Sequence, residues 1–246
     1  SGTRRPAQRP RRGGSRVRRR RRGIRFCRAF LKQVPCFTTR SGSQRSRGQT
    51  GVDGKPDVRI IAGSARGRIL KSFKGPGVRP TTDRVRESWF AALGTRVVGS
   101  RFLDLYAGTG AVGIEALSRG AARAVLVEKS RQGVAVIREN LRVLGDLPEG
   151  AVRVHQGDAV QAVALLEQAG EVFDLVFADP PYEDLEAPQK VLAALGNARG
   201  LLAADALVTI QHSRRVAIPS ESGCLVLRSE RVYGETTLSS YELGAE

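Results

Sequence analysis

The sequence predicts a doubly wound α/β fold: a mostly parallel seven-stranded sheet covered by helices on both faces, with a small N-terminal β-hairpin extension. Three observations lead there. After residue 100, short apolar runs alternate with helical patterns. One run, Phe173–Ala178, is apolar almost throughout, as a central parallel strand buried on both faces should be. The last two runs are separated at Gly234 with no helix between them, the mark of an antiparallel hairpin at the end of the sheet.

In chain order, Val58–Ile61 and Arg68–Leu70 flank Gly63-Ser64-Ala65-Arg66-Gly67, a turn between two short strands. A helix follows, capped by Thr82 or Asp83, with Val85, Trp89 and Leu93 on one face. The alternating series then runs strand Phe102–Tyr106, helix Ala111–Leu117, strand Ala124–Val127 and a helix from about Arg131 to Leu144. It continues with strand Val152–His155, a helix around Val160–Leu166 and strand Phe173–Ala178. Further strands are expected near Ala206–Gln211, Leu225–Arg231 and Leu238–Leu243.

A chain of 246 residues, 41% hydrophobic and 26% charged, can bury a sizeable core as one large domain or two small ones. No apolar run reaches 18 residues, which excludes a membrane-spanning helix. Cys27, Cys36 and Cys224 are odd in number and lack metal-ligand spacing, which argues against a disulfide framework and a structural zinc site and fits a reducing compartment. With His155 and His212 the only histidines, most histidine-based metal chemistry is excluded, and no metal is expected.

The net charge of +17 is unevenly placed. Residues 1–56 carry 18 Lys/Arg against the single acid Asp53, so they hold all of it and residues 57–246 sum to zero. Within that neutral part, residues 57–100 carry +6 and residues 101–246 carry −6, a basic edge suited to a polyanion. Residues 1–56 are expected to be a disordered basic tail. Three readings of the tail compete: an RNA-binding arm, a transit peptide that would make the protein organellar, or a trimmed or mis-started product, since the chain has no Met and begins Ser1-Gly2. The expected division is 1–56 tail, 57–98 RNA-engaging hairpin and helix, and 99–246 catalytic domain.

Asp104-Leu105-Tyr106-Ala107-Gly108-Thr109-Gly110-Ala111-Val112-Gly113 joins the first strand of the series to its helix. Gly108, Gly110 and Gly113 spell G-x-G-x-x-G, and Glu128 lies at the end of the next strand, where a carboxylate can bind ribose hydroxyls. These features fit either NAD or S-adenosylmethionine. Asp104 favours the latter: a carboxylate beside the glycine turn repels a pyrophosphate and attracts the ammonium and sulfonium charges of S-adenosylmethionine. A helix-capping or surface role is its plainer alternative. Asp158, next to Ala159 after the third strand, is placed to meet the adenine amino group, and Ala107 and Thr81 complete the expected cofactor set.

Asp179-Pro180-Pro181-Tyr182 directly follows the fourth strand, at the edge where open α/β sheets bind ligands. A nucleobase amino group is a poor nucleophile because its lone pair is delocalised into the ring. Two acceptors aimed at its two N–H bonds favour the pyramidal, reactive geometry, and the Asp179 side chain and Pro180 carbonyl are suited to supply them. Pro180 and Pro181 have fixed φ, which presets the carbonyl direction. Tyr182 offers a stacking face worth roughly 1–3 kcal/mol, and Asp179 is placed to take the departing proton. The plainer alternative is a Pro-Pro turn that merely ends a strand.

Together these residues resemble the class I S-adenosylmethionine-dependent amino-group methyltransferases and, more narrowly, the RsmD family of 16S ribosomal RNA guanine-N2 methyltransferases. The likeness rests on Arg59-Ile60-Ile61-Ala62-Gly63, Arg66-Gly67-Arg68, Arg79-Pro80-Thr81-Thr82-Asp83-Arg84-Val85-Arg86-Glu87, the Asp104–Gly113 loop, Glu115-Ala116-Leu117-Ser118-Arg119-Gly120 and Asp179–Tyr182, over about residues 58–244. It implies methylation of one guanine at N2 in small-subunit ribosomal RNA, free or in an assembling 30S subunit, and a hairpin that helps engage RNA. Arg59, Arg66, Arg68, Lys71, Arg79, Arg84 and Arg86 are the expected RNA contacts; each alone reads better as a solvated charge, and it is their joint excess over acids that points to phosphate. A cytoplasmic monomer is expected. The competing functions are DNA adenine-N6 methylation, disfavoured because no insertion of domain size follows Tyr182, a catalytically idle RNA-binding or ribosome assembly factor and, last, an NAD oxidoreductase.

Overall fold

The computed structural model describes Gly2, residues 58–72 and residues 83–244. Apart from Gly2, the expected tail lies outside these residues, as do Arg79, Thr81 and Thr82.

Strands β1 (Val58–Arg59) and β2 (Ile69–Leu70) pair antiparallel as the expected hairpin. Helix α1 (Asp83–Leu93) follows and leads into β3 (Arg101–Leu105), α2 (Ala111–Ser118), β4 (Arg123–Glu128) and α3 (Arg131–Asn140). The expected helix to Leu144 is completed by a 3₁₀ turn, Leu141–Leu144. Then come β5 (Val152–Gln156), α4 (Ala159–Gln168), β6 (Phe173–Ala178) and α5 (Ala187–Asn197). The chain closes with β7 (Leu202–Ser213), β8 (Glu221–Ser222), β9 (Leu225–Tyr233) and β10 (Thr236–Leu243).

The main sheet has eight strands in the order β5-β4-β3-β6-β7-β10-β9-β8, one more than expected. The addition is β8, two residues pairing with Val226 and Leu225, too short to show any alternation in sequence. Strands β3 to β7 run parallel, and β10 enters between β7 and β9 with both pairings antiparallel. The sequence reading also lacked α5. Pro188 in its first turn and Gly196 near its end disguise an apolar stripe of Val191, Leu192 and Leu195.

Each face of the sheet has its own core. On one, α1, α2 and α3 cover Phe102, Leu126 and Phe177; on the other, α4 and α5 cover Leu103, Val125, Val176 and Val208. Trp89 anchors the first face. Its ring lies 4.6 Å from that of Phe177 and 4.9 Å from that of Phe90, and its Nε1 donates to Thr209 Oγ1 at 3.2 Å, so its one polar atom is satisfied inside the core.

The hairpin docks on the C-terminal end of α2. Glu115, wholly buried, accepts the Ile61 and Ala62 amides at 2.7 and 3.0 Å and Arg119 Nε at 2.6 Å. Ser118 Oγ donates to the Ala62 carbonyl and accepts the Ala65 amide. The approach is close enough to require glycine at 63: its φ is +87°, and a Cβ there would lie 1.8 Å from the Ser118 carbonyl oxygen.

Arg86 corrects one expectation. The residue is 1% exposed; its Nη2 donates to the Arg59 carbonyl and to Asp83, and its Nε lies 3.9 Å from Glu115. Burial pulls this guanidinium below its ordinary value, while Asp83 and Glu115 pull it back. A side chain enclosed in this way braces the hairpin against α1 and α2 and is out of reach of RNA. The sign of its charge gave no warning of its burial.

Candidate active site

The sheet order reverses between β3 and β6. At such a switch point the loops from neighbouring strands diverge, and it is there that open α/β sheets carry their binding crevice. The glycine loop leaves β3 and Asp179 leaves β6 at this point, with the Asp179 amide on the Leu105 carbonyl at 3.3 Å.

The loop is shaped by its backbone. Gly108 and Gly110 have φ of +57° and +79°, and Tyr106, at +62°, is the only non-glycine with positive φ among the described residues. A tyrosine held in that sparsely allowed region needs surroundings that fix it, and such residues cluster at functional sites. Burial pushes its hydroxyl up to about 12, with Asp158 and Asp184 adding to the shift. Nothing in the sequence around Tyr106 marks this conformation.

Carboxyls hold the loop from below. Glu128 Oε2 accepts the Gly108 amide at 2.8 Å and its Oε1 the Ser130 amide at 2.7 Å. Each oxygen keeps a further lone pair for a hydroxyl donor. Asp104, 2% exposed, accepts the Gly113 amide at 2.8 Å, the helix-capping alternative considered above. Its carboxyl is pushed up to about 8, first by burial and then by the charges of Asp179 and Glu128, against the opposing effect of the Gly113 bond. Ala107 is buried, its amide on the Val127 carbonyl and its carbonyl accepting from Gly110.

Asp158 N-caps α4 through Oδ1, which takes the Val160 and Gln161 amides, while Oδ2 lies 3.4 Å from Lys129 Nζ; Ala159 behind it is buried. These groups suit a small cationic ligand. A Cβ at Gly108 would make only an ordinary contact, with the Tyr106 carbonyl at 3.9 Å, so its positive φ rather than crowding calls for glycine there. A cation near Asp104 would also stabilise its ionised form.

At the end of β6, Pro180 is buried, Pro181 exposed and Tyr182 half-buried, its hydroxyl sharing a 2.8 Å hydrogen bond with Thr236. Asp179 Oδ1 accepts from Gln211 Nε2 at 2.7 Å. Gln211 was absent from the sequence reading, because only the β6–β7 pairing brings it beside Asp179.

Of the expected RNA contacts, Arg59, Arg66, Arg68 and Lys71 are exposed on or beside the hairpin, and Arg84 is exposed on α1. Arg59 lies 3.6 Å from Asp83, and Lys71 pairs with Glu139 at 2.5 Å. Asn140, also unforeseen, joins this region to the crevice. Its buried amide binds the Lys71 backbone and the Thr109 carbonyl.

The family model described as conserved hypothetical protein 95 matches residues 58–242. The Ribosomal RNA small subunit methyltransferase D of Escherichia coli strain K12 is 36% identical over 193 residues, 78% of this chain and 93% of that protein. The solved Thermus hypothetical protein TTHA0928 is 35% identical with a TM-score of 0.63, over 76% of this chain and 99% of that one. A more distant structure, SMU.776 complexed with SAH, shares the fold at 12% identity and a TM-score of 0.54, over 71% of this chain and 52% of that one.

Proposed function

The chain belongs to the conserved hypothetical protein 95 family, the RsmD methyltransferases, and from that membership we propose that it transfers a methyl group from S-adenosylmethionine to the exocyclic N2 of a guanine in small-subunit ribosomal RNA. The observation that carries the reading is the meeting of Asp179 and the carboxyl-lined glycine loop at one reversal of strand order.

S-adenosylmethionine, when bound, supplies the electrophilic methyl group. Asp104 and the glycine loop face its cationic end, Glu128 takes ribose hydroxyls with its remaining lone pairs, and Asp158 is directed to the adenine amino group. The target guanine is unstacked and turned in beside Tyr182, whose hydroxyl is already anchored on Thr236. Asp179 and the Pro180 carbonyl grip the two N–H bonds of the amino group, so its lone pair turns out of conjugation. As the C–N bond forms the methyl–sulfur bond breaks, leaving S-adenosylhomocysteine, and Asp179 takes the proton from the nitrogen. The exposed Arg59, Arg66, Arg68, Lys71 and Arg84 meet phosphates, with residues 57–98 as the RNA-engaging part and 99–246 as the catalytic part. In this reading the protein is a cytoplasmic monomer that needs no metal.

The test is to incubate the protein with methyl-labelled S-adenosylmethionine and either small ribosomal subunits or duplex DNA, and to digest the product to nucleosides. Labelled N2-methylguanosine from the subunits is the expected product. Labelled N6-methyladenosine from DNA would overturn the reading, and the absence of transfer to either would favour an idle assembly factor.

A further inference from the structure

Gln211 on β7 follows Ile210, which pairs with Ala178 at the end of β6, so Gln211 is the neighbour across the strands of Asp179. It is 3% exposed. Its Nε2 donates to Asp179 Oδ1 at 2.7 Å, but its Oε1 has no hydrogen-bond partner among the described residues. Two residues earlier on the same face, Thr209 is fully engaged, by Trp89 on one side and Ser240 on the other. A buried acceptor without a donor costs stability. The unmet acceptor therefore sits on the amide that holds the proposed amino-group acceptor.

We propose that Gln211 determines base specificity, its Oε1 accepting the ring N1–H of the target guanine while its Nε2 holds Asp179 against the adjacent amino group. The proposal rests on the reading of Asp179 as the amino-group acceptor. The 2.7 Å bond from Nε2 to Asp179 Oδ1 fixes which end of the amide faces the carboxyl and leaves the oxygen for the base. In guanine the ring nitrogen beside the amino group carries a proton. In adenine and cytosine the corresponding nitrogen carries a lone pair, which Oε1 would repel. Turning the amide over to suit those bases would set its oxygen against the carboxylate.

The experiment compares small subunits carrying guanine or 2-aminopurine at the position the parent protein methylates. 2-Aminopurine keeps the amino group but has a bare ring nitrogen in place of N1–H. The parent is expected to favour guanine by about 10²-fold in kcat/KM. In Gln211→Leu that preference falls towards unity. A Gln211→Leu protein that retains the parent's preference would overturn the proposal. A parent protein that methylates no guanine would instead overturn the underlying reading of the site.

Discussion

The buried amide of Asn140 donates to the Thr109 carbonyl at 2.9 Å and to the Lys71 carbonyl at 3.0 Å, while its oxygen takes the Lys71 amide at 2.7 Å. One side chain at the end of α3 thus ties the glycine loop to the strand leaving the hairpin. Asn140→Leu leaves these backbone groups without their partner and is expected to cost about 2 kcal/mol, read from urea unfolding. It should also weaken S-adenosylmethionine binding, which a calorimetric titration measures. An unchanged affinity would separate the loop from this tie.

Asp104 gives the fold a pH dependence of definite sign. Its carboxyl titrates near 8 in the folded protein, well above the ordinary aspartate value of 3.8, chiefly because of burial. The folded state therefore holds a proton that the unfolded chain releases. The resulting stabilisation is complete below about pH 3.8 and is lost as pH rises through 8. Asp104→Asn removes this contribution. The parent's melting temperature relative to the variant's should fall steadily between pH 5 and about pH 8, and parallel curves would contradict the assignment. Binding of a cationic cofactor to the parent should release a proton near neutral pH, seen as a buffer-dependent heat.

Glu115 is the buried partner on which the hairpin and Arg86 both depend. Glu115→Ala leaves the enclosed guanidinium with Asp83 as its remaining carboxylate and frees two hairpin amides, an expected loss of about 3–5 kcal/mol by chemical denaturation. Gly63→Ala attacks the same seam more selectively, because its methyl meets the Ser118 carbonyl. It should raise the KM for RNA while leaving cofactor affinity within about twofold; an unchanged KM would remove the hairpin from RNA engagement.

Elements whose pattern is set by local burial were legible in the sequence. Phe173–Ala178 is apolar because neighbours cover it on both faces, and β9 and β10 declare themselves as a hairpin at Gly234. The crevice was legible by position, since Asp104, Glu128 and Asp179 stand at or just beyond strand ends in the expected places. What was hidden depends on tertiary pairing. Gln211 meets Asp179 only through the β6–β7 register, and Asn140 reaches Thr109 from 31 residues away. Arg86 carries the same sign of charge as the exposed arginines around it, and only packing separates it from them. Tyr106 adopts a left-handed conformation that its side chain does not favour, so local propensity argued against the observed structure.

Single-turnover methyl transfer by Asp179→Ala, with S-adenosylmethionine already bound and small ribosomal subunits in excess, tests the grip on the amino group most directly. The expected result is a rate lower by about 10²–10⁴-fold, with cofactor affinity and RNA binding close to the parent's. A variant that transfers methyl at the parent's rate, or that loses activity only in step with cofactor binding, would contradict it.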